Sequence, residues 1–198
     1  MEPRFVPKVE EVLRRAGWYP GRKVPEEQIE VLNQIHPLFP AARRVFEEFY
    51  GIYVEAEGIG EWGAFLSDEK GWRHNPDYRP NFCINPAMDP NGDLVAIRDT
   101  NDIQEAERDY GFKLYLLGYR EYQISPLRNQ WLIGGNITEI FIDVAGRVFF
   151  YFDEYIFAGD TFDRALHNMI LKVHSKDGGR DGGMCAWDIE RNAPRSDS

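Results

Sequence analysis

Four histidines and two cysteines are the residues of this chain best suited to hold a metal or attack a substrate. His167 and His174 stand seven apart in an apolar-patterned stretch, so a helix there presents both on one face. Two turns separate them by roughly 10.5 Å, which is too far for the ligands of one zinc ion. Both are expected to face solvent. His36 stands where a helix should end, a position that suits a local interaction with the last carbonyls. His74 lies in an irregular stretch, with no partner that spacing can supply. Cys83 would need an adjacent base to act as a nucleophile, and nothing in the sequence nominates one. Asp89-Pro90-Asn91-Gly92-Asp93 has the look of a calcium loop. Such a loop starting at Asp89 requires glycine and glutamate where this chain has Leu94 and Thr100. A tight turn is the better reading. No phosphate-binding glycine loop, dinucleotide fingerprint or nucleophile elbow occurs. Carboxylates are too plentiful to single out a pair. The residues thus nominate no catalytic group, no cofactor and no metal site, and an enzyme is not expected.

Charge points to a different chemistry. The 198 residues carry 23 basic and 33 acidic side chains, a net of −10. Residues 1–53 hold eight of each sign, 54–110 thirteen acidic and five basic, and 111–198 twelve acidic and ten basic, so the successive nets are 0, −8 and −2. An acidic middle third argues against nucleic acid and anionic membranes as partners. It suits a basic protein, whose association such a field speeds by roughly 10- to 1000-fold at low salt. Solubility alone also explains an acidic balance. Trp62, Trp72 and Tyr78 lie in that third among Glu55, Glu57, Glu61, Asp68 and Glu69. Aromatics in charged surroundings have the composition of interface hot spots; the plainer alternative is that they pin loops to the core. Glu57, Glu61, Trp62, Asp68, Glu69 and Trp72 are the candidate protein-binding residues.

The elements that must carry them follow from hydrophobic spacing. A chain of this size buries roughly 70% of its unfolded surface, and one domain over residues 1–174 is the simplest count. Phe5, Val9, Val12, Leu13 and Ala16 fall at helical spacing. Pro25 suits the first position of a second helix carrying Ile29, Leu32 and Ile35. Pro40 starts a third, with Ala41, Val45, Phe46 and Phe49 inward. Ile52 to Glu55 reads as the first strand, Phe82 to Ile84 and Leu94 to Ile97 as short strands, and Phe112 to Gly118 as a buried one. Residues 101–110 look helical. Asp143-Val144-Ala145-Gly146 carries the residues of a type I turn between two apolar strands, whose density suggests cover on both faces. Phe162, Ala165, Leu166, Met169, Ile170 and Val173 mark the last helix, with Asp160 or Thr161 as its N-cap. Glycine and charge dominate residues 175–198, which suggests a flexible tail, although Met184, Trp187 and Ile189 have the apolar area to dock. No apolar run reaches the ~18 residues of a membrane-spanning helix. The N-terminus lacks the apolar segment of a secretory signal. Two cysteines make no disulfide framework, and a cytoplasmic setting is expected.

One stretch says more than composition does. Gly17 sits where a left-handed cap ends the first helix, Trp18 is placed to fold back on that helix's apolar face, and Pro20-Gly21 makes a turn. Arg22 has no obvious carboxylate partner in the sequence. Ala16-Gly17-Trp18-x-Pro20-Gly21-Arg22-x-Val24 resembles the opening motif of the SUKH superfamily, in particular its third subgroup of bacterial immunity proteins. The junction Phe49-Tyr50-Gly51-Ile52, the pair Leu117-Gly118, the hairpin Ile142-Asp143-x-x-Gly146-Arg147-Val148-Phe149 and the closing Ala158-Gly159-Asp160-Thr161-Phe162-x-x-Ala165-Leu166 follow in order. The junction usually carries two glycines, and Tyr50 replaces the first; residues 56–93 and the tail beyond Val173 have no counterpart. The resemblance implies a single α+β domain in which N-terminal helices pack on a largely antiparallel, strongly twisted sheet with a C-terminal helix. It implies a partner too: a polymorphic toxin, often a nuclease and basic where it holds phosphates, bound in the producing cell without catalysis. A regulatory or scaffold module of the same superfamily, with no toxin partner, is the alternative. The family fixes no contact residue.

Overall fold

A computed structural model describes residues 3–55, 66–68, 71–73, 79–86, 104–105, 107–109, 111–123, 137–152, 154–171, 173–175, 181–188, 191 and 193–194. Three helices open the chain: α1 (Pro7–Arg15), α2 (Glu26–Ile35) and α3 (Pro40–Phe49). Pro7 and Pro40 stand at helix starts, where a missing N–H costs nothing. Pro25 is the N-cap of α2, one residue earlier than expected. Each helix turns one apolar stripe inward. Val9, Val12 and Leu13 of α1, Ile29 and Leu32 of α2, and Ala41, Ala42, Val45, Phe46 and Phe49 of α3 are buried.

The strands follow as β1 (Ile52–Glu55), β2 (Leu66–Asp68), β3 (Gly71–Arg73), β4 (Arg79–Ile84), β5 (Leu114–Gln123), β6 (Ile137–Asp143), β7 (Val148–Phe152) and β8 (Glu154–Gly159). Helix α4 (Phe162–Leu171) precedes β9 (Cys185–Asp188) and the two-residue β10 (Ala193–Pro194). One sheet has the order β1-β4-β5-β6-β7-β8-β9-β10, with every neighbouring pair antiparallel, and β2-β3 form a separate hairpin. Helices on an antiparallel sheet make the fold α+β, as the resemblance implies.

Period-2 alternation divides the sheet's side chains between two cores. Tyr115, Leu117, Ile140, Ile142, Val148, Phe150, Ile156 and Ala158 share one cluster with the helices. Leu114, Leu116, Phe141, Phe149, Phe157 and Trp187 form a second, mostly aromatic cluster. The β6–β7 hairpin feeds both, as its unbroken apolar strands led one to expect. Its turn closes through Gly146 N–H to Asp143 C=O at 3.0 Å. The Asp143 carboxylate accepts from the Arg147 backbone N–H at 2.8 Å and from its Nε at 2.6 Å. Asp143 is only 1% exposed, and these two bonds are what a buried carboxylate needs.

Some sequence expectations shift. The strand expected at Phe112 starts at Leu114 and runs on to Gln123. Helical backbone appears at 104–105 and 107–109, with Gly111 N–H closing on Glu107 C=O; the strand expected at Leu94 to Ile97 lies outside the described residues. The flexible tail expected from 175 onward gives way, over 181–188, to chain docked on the domain. Cys185 and Ala186 pair with Phe157 and Ile156, and Met184 and Trp187 are buried. The physical cause is polar as well as apolar. Asn168, fully buried on α4, donates to the carbonyls of Ala158 and Gly182, both at 2.8 Å. Arg164 donates to those of Gly182 and Asp181, both at 3.0 Å.

Candidate functional site

The motif after α1 builds one wall of a cleft. Gly17 has φ +91°, a left-handed conformation that glycine adopts without a Cβ penalty. Its N–H donates to Arg14 C=O at 3.0 Å and that of Trp18 to Leu13 C=O at 2.9 Å, the bond pair of a Schellman cap. The cap turns the Trp18 ring back between Phe5, edge-on at 5.2 Å, and Phe49, stacked at 6.1 Å. Its indole N–H donates to Glu48 Oε1 at 2.8 Å. Arg22 finds no carboxylate; it donates to the Glu48 and Tyr50 carbonyls at the end of α3. Those carbonyls lack helical partners, so Arg22 caps α3 from a distance. Burial lowers its guanidinium pKa from the usual value.

Arg4 closes the group. It donates to Asp163 Oδ2 at 2.6 Å and to Glu48 Oε1 at 2.7 Å, joining the entry to α1 with α3 and the start of α4. The hydrogen bond with Asp163, followed by that with Glu48, outweighs desolvation and raises its pKa above the ordinary arginine value. Thr161 Oγ1 caps α4 by accepting from Arg164 N–H at 3.2 Å. Between these walls and the Ala145-Gly146 turn lies a cleft of about 740 Å³. Val45, Phe49, Ile142 and Phe162 line it, as do Lys23, Arg44 and Asp160.

The residues expected to contact a partner fall elsewhere. Asp68 and Trp72 lie on the β2–β3 hairpin, where Asp68 is in register with Gly71 and Ser67 with Trp72. Glu57, Glu61, Trp62 and Glu69 lie outside the described residues, as does His74. His36 is the C-cap of α2, as expected. His167 and His174 do not share a helix. Helix α4 ends at Leu171 because Val173 N–H turns back to Asn168 C=O, and His174 pairs with Met184 instead. Neither is freely exposed. Cys83 and Cys185 stand on β4 and β9, both half-buried, and form no disulfide. Among the described residues no group of three or more His, Cys, Asp or Glu could hold a metal, and no helix is long and apolar enough to cross a membrane. Sequence reasoning missed the cleft. Its lining comes from five segments, Arg4, 22–26, 41–49, 142–146 and 160–163, and only the turn that carries Arg22 leaves a local signal.

The motif at α1, the junction at α3 and the Leu117-Gly118 pair all lie within residues 5–127, which match the family model for SUKH-3 immunity proteins. The chain belongs to the SUKH-3 immunity protein family. The match runs from the entry to α1 through β5; the β6–β7 turn and α4 follow it. Comparisons with curated proteins and with solved structures return no match.

Proposed function

We propose that this SUKH-3 protein neutralises a cognate toxin by binding it stoichiometrically, without catalysis, in the cytoplasm of the producing cell. Family membership supports the immunity role. The charge of the middle third carries the finer reading: a net of −8 over residues 54–110, with tryptophans interleaved, complements a basic toxin domain such as a nuclease. Glu57, Glu61, Trp62, Asp68, Glu69 and Trp72 form the contact, the carboxylates steering encounter and the tryptophans anchoring it. Nucleic acid and membrane surfaces are poor partners for the same field.

The test starts with the product of the adjacent gene. That product co-purifies one-to-one with this protein, and its toxicity falls on co-expression. A neighbour that is no toxin, or whose lethality is unchanged, leaves the regulatory or scaffold role in its place. Glu61→Lys and Asp68→Lys together slow association and flatten its salt dependence, because rim charges act on the on-rate. Unchanged kinetics moves the interface elsewhere on the protein.

A further inference from the structure

Asn168, Asp143 and Tyr115 are buried with their polar atoms bonded, as buried polar groups must be. Trp187 of β9 breaks that rule. It is 4% exposed, and its indole Nε1 is buried with no hydrogen-bond partner. Trp18, equally deep at 3% exposed, donates the same group to Glu48 at 2.8 Å. A donor stripped of water and given no acceptor weakens whatever its burial holds in place. Here that weakness falls on the C-terminal segment.

That segment has two parts. The inner one, 181–184, is clamped by polar bonds. Asn168 and Arg164 donate to its carbonyls, Met184 N–H donates to Val173 C=O at 2.9 Å, and Ser175 N–H to Met184 C=O at 2.8 Å. Met184 adds a side chain 2% exposed to the helix-side core. The outer part, β9 and β10, rests on less. Strand β9 is in register with β8 at Ile156–Ala186 and Phe157–Cys185, whereas β7 runs beside β8 from Val148 to Phe152. Strand β10 ends the sheet beside β9, and its Pro194 has no N–H to give. Cys185 and Ala186 are half-buried; among the described residues of this outer part, Trp187 is the one that is buried.

The socket for Trp187 belongs to the rest of the sheet. Its ring lies edge-on to Phe149 at 5.0 Å, tilted on Phe157 at 5.4 Å, and 5.3 Å from the Arg147 guanidinium. Arg147 is itself held by the buried Asp143 carboxylate at 2.6 Å and also lies over Phe112 and Phe149. These groups keep their mutual contacts when the indole leaves. We propose that β9 and β10 form a latch. They open and close as one unit on a hinge between Met184 and Cys185, with Trp187 as the anchor, while 181–184 stay clamped. The open state bares the outer edge of β8 and the Phe157 ring; the closed state hides them. The orphan indole N–H keeps the closed state only modestly favoured, which is what a latch needs.

Native-state hydrogen exchange of the ¹⁵N-labelled full chain in sub-denaturing urea tests the latch. The protected amides of β9 and the Trp187 indole N–H exchange together, about 100-fold faster than the Met184 amide and the Trp18 indole N–H. Their exchange depends little on urea, because the opening exposes little surface. Trp187→Ala speeds the β9 amides by a further ~100-fold, the loss of a buried large aromatic, and leaves Met184 and the Trp18 indole within about threefold of the parent. Trp187→Phe leaves the β9 amides within about threefold of the parent, because relief of the orphan donor offsets the lost ring area. Exchange of the β9 amides at the Met184 rate overturns the proposal, as does a Trp187→Ala effect that spreads to Met184 and β7. A Trp187→Ala chain that fails to fold overturns it too, since the whole domain then depends on the segment. Equal rates in the Phe and Ala variants remove the orphan donor from the balance and the latch with it.

Discussion

Trp18 ends α1 with its backbone, fills the core with its ring and donates its indole N–H to Glu48. These roles separate by substitution. Trp18→Ala removes a side chain that is 3% exposed and costs about 3–5 kcal/mol of folding stability, the range for a buried large aromatic. Trp18→Phe keeps most of the apolar area and loses the hydrogen bond to a charged acceptor, costing about 1–3 kcal/mol. Urea unfolding of the two variants measures both; a Trp18→Phe variant as stable as the parent would mean that the Glu48 bond contributes nothing. The same residues show what a sequence can reveal. Gly17 and Trp18 are legible because their partners lie within five residues, inside one capping pattern. Arg22 is not, because it donates to backbone carbonyls 26 and 28 residues away. A carbonyl acceptor carries no residue identity, so no search for a carboxylate could find it.

At the scale of elements, the Leu117-Gly118 pair illustrates why a family marker can be structural. A Cβ on Gly118 would stand 1.9 Å from the Cys83 carbonyl oxygen and 2.9 Å from the Asn85 nitrogen, backbone atoms of β4 and of the residue just after it. The register of β5 against β6 shifts between Leu116 and Gly118, a bulge that presses β5 toward β4. Gly118→Ala forces those strands apart and costs about 3 kcal/mol, the upper end for overpacking. Amide exchange is expected to speed up first in β1 and β4, the strands on the far side of the clash. Uniform acceleration across β6 to β8 as well would show that the sheet yields as one unit. Periodicity placed the long apolar elements well, because each buries a stripe that repeats along its own sequence. Strand β9 escaped it for the opposite reason. Four residues cannot establish a period, and part of what holds this chain to the sheet, Asn168 and Arg164, lies on α4 about fourteen to eighteen residues earlier. The acidic candidates are legible only as composition, since no local pattern says which surface of a partner they would meet.

At the scale of the whole molecule, Tyr115 is one of the buried polar links that join helices to sheet among the described residues, beside Asn168. It is 1% exposed on β5, its hydroxyl donates to the His36 carbonyl at 3.2 Å beyond the end of α2, and its ring meets Phe46 of α3 edge-on at 5.6 Å. Burial raises its pKa well above the ordinary tyrosine value, and Tyr50, at the end of α3, is raised mainly by the same cause. The sign of the linkage follows. Above pH ~10 the unfolded chain releases these protons while the folded chain keeps them, so the unfolded state gains. The contribution is fully present below pH ~10 and is lost as pH climbs toward the folded-state value. Each pH unit in that window removes up to about 1.4 kcal/mol for Tyr115. Tyr115→Phe gives up the hydrogen bond, about 1 kcal/mol at neutral pH, but has no proton to lose. Its stability deficit against the parent therefore shrinks between pH 9 and pH 11 and can change sign. Guanidinium unfolding at a series of pH values reads this directly. A deficit that stays constant to pH 11 would mean that the Tyr115 phenol ionises as readily in the folded domain as in water, and that the layer junction it occupies is open to solvent.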